Sequence, residues 1–125
     1  MPEACIPRTF TSLAEATAAI RGLSDPVVLI RFATTPDDDV VIAANDAAAA
    51  TPFTPAAGEH PDRRRDRSLT ADIEIGYLHR QLLERGHARQ VIALDGGHLH
   101  EVTVTRVKVE GDDAVYGFAS GKPRS

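Results

Sequence analysis

The 125 residues, 42% apolar and 26% charged, have the length and balance of one globular domain with a single core. A net charge of −4 gives no footprint for nucleic acid, no apolar run approaches a membrane span, and no basic-then-apolar leader follows Met1. Cys5 is the only cysteine, which excludes an internal disulfide and a zinc site of several thiolates, so a single cytoplasmic domain over residues 1–125 is expected.

TSLAEATAAIRGL reads as a helix over about 11–22, capped by Thr11 or Ser12 and ended by Gly22, with Leu13, Ala16, Ile20 and Leu23 on one stripe. Asp25-Pro26 breaks it, and VVLIRF and VVIAA, separated by the turn residues Thr35-Pro36-Asp37-Asp38, predict a hairpin near 27–33 and 39–44. Asn45 is placed to cap a short helix through the alanines 47–50. Three prolines and the run DRRRDR make 51–67 a solvated loop. A longer helix is expected over about 70–85, with Ile75, Leu78 and Leu82 inward, His79 at the surface and Gly86 closing it. The last third predicts strands near 88–95, 98–110 and 113–120, turning at Gly96-Gly97 and Gly111-Asp112-Asp113. Val102 and Val104 have one parity and Val107 and Val109 the other, so near Thr105-Arg106 either a bulge occurs or the buried face changes.

The order of elements and three local stretches resemble the PAS family. VVIAANDAAAA is similar to the stretch where a PAS strand ends at an Asn that opens a short helix, with Asn45, Ala47 and Ala48 in those positions. IALDGGHLHEVTVTRV resembles the Asp-Gly turn between the third strand and a long fourth, and VYGFAS the fifth. The resemblance covers about 26–120 and implies an α+β fold. Its sheet would have five antiparallel strands in the order 2-1-5-4-3, with helices on one face and 11–22 as an N-terminal cap. The loop after Ala50 and the GKPRS ending depart from the family pattern.

The resemblance further implies a sensory or interaction module in signal transduction rather than an enzyme, acting through dimer or partner contacts. Its ligand pocket would lie where the long helix faces the sheet, at Tyr77, Leu78, Leu82, Ile92, Leu94, Val104 and Tyr116; plain core packing is the other reading of each. A homodimer is expected through the stripe Leu13, Ala16, Ile20 and Leu23, the alternative being a helix folded onto its own sheet. No cofactor is expected. Haem-binding relatives place a histidine where this chain has Ile73, Glu74 and Ile75, and the flavin-binding type needs a cysteine far from Cys5.

His98 and His100 share a strand face and could share a metal, but no third ligand accompanies them in the sequence, so no metal site is assigned. Consecutive Asp37, Asp38 and Asp39 read as a solvated turn. Arg63, Arg64, Arg65 and Arg67, diluted by Asp62 and Asp66, read as a solvated loop. No nucleophile elbow or phosphate loop is present. The rival reading is a small cone-like α+β enzyme or ligand carrier using Asp95, His98 and His100. The position of the hairpin's first strand in the sheet separates the two.

Overall fold

A computed structural model describes residues 9–35, 38–50, 57–58, 69–93 and 99–123, the side chains of 69–75, 92, 93, 122 and 123 excepted. The elements are β1 (Thr9–Phe10), α1 (Leu13–Arg21), β2 (Val28–Phe32), β3 (Val40–Ala44), α2 (Asp46–Ala49), α3 (Leu69–Arg85), β4 (His87–Ala93), β5 (Leu99–Val109) and β6 (Val115–Pro123). They form an α+β fold around one mixed sheet. The expected loop at 51–67, the arginine run, Asp37, Asp95 and His98 lie outside the described residues, apart from positions 57 and 58 of that loop.

The five long strands are ordered β3-β2-β6-β5-β4, all in antiparallel pairs. The expectation of a purely antiparallel five-stranded sheet is nevertheless corrected, because β1 adds a sixth strand parallel to β5, with Thr9 opposite Lys108 and Phe10 opposite Val109. Its two residues have no alternation to read, and nothing in the sequence marks them as a strand. β5 is long enough for β4 to pair with 99–105 and β1 with 108–109 on the same edge.

The helix expected as an N-terminal cap, α1, and the long helix α3 cover opposite sides of the sheet. α1 lies over one side of the sheet with Phe10, Val27, Leu29, Val107, Val109, Tyr116 and Phe118; α3 lies over the other with Ile30, Phe32, Val41, Ala88 and Val104. That division explains the parity change in β5. Its register against β6 runs unbroken from His100 to Val107, so no bulge intervenes: one half of the strand buries Val102 and Val104 under α3, the other buries Val107 and Val109 under α1. The irregularity lies instead between β2 and β3, where Leu29 opposes Ala43 and Ile30 opposes Val41, leaving Ile42 as an extra residue.

Local chemistry fixes the ends. Ser12 accepts from the Glu15 amide at 3.1 Å while the Glu15 carboxylate takes the Thr11 hydroxyl at 2.7 Å, so α1 starts in a reciprocal cap. Gly86, at φ 78°, closes α3 by donating to the Leu82 carbonyl and turns directly into β4. Gly117 is required by a close approach: a Cβ there would stand 2.9 Å from the Phe32 ring and 3.2 Å from the Thr105 carbonyl oxygen.

After β5, Asp112 accepts from the Ala114 amide at 2.8 Å and from the Tyr116 hydroxyl at 2.7 Å. The Ala114 bond first, then that of Tyr116, holds the Asp112 carboxyl below its ordinary range, and burial first, then Asp112, raises the Tyr116 phenol. The Asp112 contribution is therefore present above the ordinary carboxylate pKa and lost as pH falls through the depressed one; that of Tyr116 is present below the ordinary phenol pKa and lost as pH rises through the raised one. Asp112→Ala in a Tyr77→Phe background, where Tyr116 alone titrates, is expected to move its alkaline absorbance transition to lower pH.

Candidate functional site

Three of the side chains expected to line a pocket meet on the α3 side. Leu82 is fully buried, Val104 is buried, and Leu78 packs partly buried against the same cluster. Tyr77 is 37% exposed, on the outer side of α3. Tyr116 is buried on the opposite face of the sheet, under α1, because it alternates with Val115 and Gly117. Neither therefore belongs to an α3–sheet site. The Ile92 side chain and Leu94 lie outside the described residues.

The polar centre of the α3–sheet interface is His79, which corrects its expected place at the surface. It is 5% exposed, and its Nδ1 lies 2.9 Å from Oδ2 of Asp39, itself 5% exposed. Asp39 thus leaves the expected solvated acidic turn, whereas Asp38 stays exposed and accepts from the Thr35 hydroxyl. The other Asp39 oxygen accepts from the Ala33 amide at 2.7 Å, which ties the end of β2 to the start of β3. The Phe32 ring meets the imidazole edge-on at a centroid distance of 6.0 Å.

This arrangement fixes the ring chemically. An ionised carboxylate only accepts, so the proton between the two groups belongs to Nδ1, and Nε2 is the ring nitrogen left over. That nitrogen is buried and has no hydrogen-bond partner among the described residues. A carboxylate-oriented imidazole with an unused Nε2 can accept a hydrogen bond, take a proton or ligate a metal. Among the described residues, no group of three or more His, Cys, Asp or Glu side chains could hold a metal ion. His100 is half-buried in β5, opposite Ile92 and Pro123, and His98 lies outside the described residues.

The α1 stripe is engaged within the chain. Ala16 and Ile20 are buried and Leu13 and Leu23 pack around them, all against the sheet, which is the folded-back alternative weighed above. Among the described residues, no helix is long and apolar enough to cross a membrane. No family model matches the chain, and no curated protein matches it either.

Proposed function

We propose that this chain is a PAS-like sensory module that takes a small ligand between α3 and the sheet and passes its occupancy to a protein partner. The observation that carries the reading is the His79 Nε2, a buried polar atom at that interface with no partner among the described residues. Leaving such an atom unpaired costs about 1–3 kcal/mol, and unpaired buried groups in native proteins call for an explanation. A ligand that completes the pair supplies one.

The strand order supports the architecture. The hairpin's first strand, β2, lies centrally beside the last strand, β6, as the PAS order requires, and Asn45 opens a short helix where that family has one. The rival reading as a small enzyme gains a histidine–carboxylate pair, but from His79 and Asp39 rather than from Asp95, His98 and His100. Among the described residues no hydroxyl or thiol is bonded to Nε2, so the pair activates no nucleophile there. Partner contacts fall to surfaces other than the α1 stripe.

Thermal-shift screening of the purified chain against a metabolite library tests this, since a ligand specific to the native state must raise its stability. A compound that raises the midpoint in the unmodified chain supports the module; a library without effect, with the native mass equal to that of the bare chain, counts against it.

A further inference from the structure

The two edges of the sheet are finished differently. At the β3 edge the Gly58 amide donates to the Val41 carbonyl at 2.7 Å, so a neighbouring segment covers main-chain groups there. At the other edge β1 takes the far end of β5, and β4 stands outermost beside 99–105, paired with β5 alone among the described residues.

The alternation of the ladder identifies the groups of β4 that point outward. The Arg106 amide donates to the Gly86 carbonyl at 2.8 Å, which makes these two opposed residues a hydrogen-bonded pair. In the same register Ala88, Gln90 and Ile92 exchange bonds with Val104, Val102 and His100, so the main-chain groups of His87, Arg89, Val91 and Ala93 face away from β5. Those outward groups have no hydrogen-bond partner among the described residues.

A free edge is a template for another strand, and proteins ordinarily blunt it with lysine, proline or a bulge. HARQVIA contains no lysine or proline, and its register with β5 is unbroken from His87 to Ala93. Its one arginine, Arg89, is drawn back across the sheet to Glu101 at 2.7 Å. The edge is left open to a partner strand.

We propose that β4 pairs antiparallel with β4 of a second copy of this chain, about a two-fold axis at Gln90, joining the two sheets edge to edge. The second copy fits because the outward residues lie symmetrically about Gln90. His87 then opposes Ala93 of the second copy and Arg89 opposes its Val91, so every outward amide meets a carbonyl and no arginine stands opposite its own counterpart. Gln90 faces Gln90, and two side-chain amides can bond each other. This surface lies outside the α3–sheet interface, so the inference goes beyond the ligand reading and does not depend on it. It also takes the place of the α1 stripe, which is buried within the chain.

The test is sedimentation velocity of the full chain at rising concentration, with amide hydrogen exchange followed by NMR on the same samples. A dimer is expected. The amides of Arg89 and Val91 exchange fast in the dilute monomer and slow as the pair forms, while those of Ala88 and Gln90 are slow throughout. Val91→Pro removes an outward N–H without touching the bonds to β5, and is expected to give a folded monomer by circular dichroism. Val91→Lys keeps the main chain intact and faces Glu101 within its own chain, but sets a like charge opposite Arg89 of the second copy. It is expected to weaken association roughly tenfold, and it decides the matter alone if the proline variant does not fold. A chain still monomeric at about 1 mM, where even a weak pair forms, overturns the proposal. A dimer unaffected by Val91→Lys, or one in which the Arg89 and Val91 amides stay fast, overturns it too, because another surface then makes the contact.

Discussion

Asn45→Ala is expected to lower the unfolding free energy by about 4 kcal/mol, read as a fall in the urea midpoint at unchanged slope. Asn45 is 1% exposed and uses its whole side chain. Oδ1 accepts from the amides of Val27 at 3.1 Å and Ala48 at 2.8 Å, and Nδ2 donates to the carbonyls of Ile20 at 3.0 Å and Asp25 at 2.8 Å. One amide therefore joins the end of α1, the approach to β2 and the first turn of α2. Alanine leaves four main-chain groups without these partners, at roughly 1 kcal/mol or more each where water cannot reach them. Asn45→Asp separates capping from cross-linking: its carboxylate can still accept from both amides, but it faces two carbonyls and donates to neither. A loss below about 1 kcal/mol in Asn45→Ala would mean that the residue only caps α2.

His79→Ala is expected to cost about 3 kcal/mol, through a cavity under α3 and a buried Asp39 deprived of the imidazole. The same measurement on Asp39→Ala is expected to give a comparable loss, because the Ala33 amide and His79 Nδ1 lose their acceptor together. The two losses are not additive, since each single substitution already breaks the shared bond. Additive effects would show that the pair is not coupled.

Much of the fold is legible in the residues. Alternation and turn chemistry give the hairpin of β2 and β3 and the meander of β4, β5 and β6, while Ser12, Asn45 and Gly86 mark the ends of helices through the backbone groups they satisfy. β1 is not legible, because it exists only through its pairing with β5. The face of Tyr116 is not legible either, because β6 buries both of its sides and apolar character alone does not choose between them.

The buried pair does leave a signal. Leu78, His79 and Leu82 continue from Ile75 at helix spacings of three, four and seven, which puts the histidine on the inward stripe despite its polarity. Asp39 stands two residues before Val41, on the same side of an extended chain. Polarity argues for the surface, period argues for the interior, and the mutual hydrogen bond lets the period prevail. That bond joins residues 40 positions apart, and a single sequence does not disclose it.

Whether His79 and Asp39 serve binding or merely brace the fold is tested most directly by the unfolding free energy of the double variant His79→Phe, Asp39→Asn beside the unmodified chain. The side-chain amide oxygen introduced by Asp39→Asn can still accept from the Ala33 amide, while His79→Phe removes the unpaired nitrogen and fills the space under α3. Replacing a buried polar pair by groups of similar volume is often neutral or stabilising when the pair is not needed for folding. The expectation is stability equal to or above that of the unmodified chain, with any thermal shift that a metabolite produces in the unmodified chain gone. A loss of about 3 kcal/mol, as large as that of either single alanine variant, would contradict it and make the pair a brace.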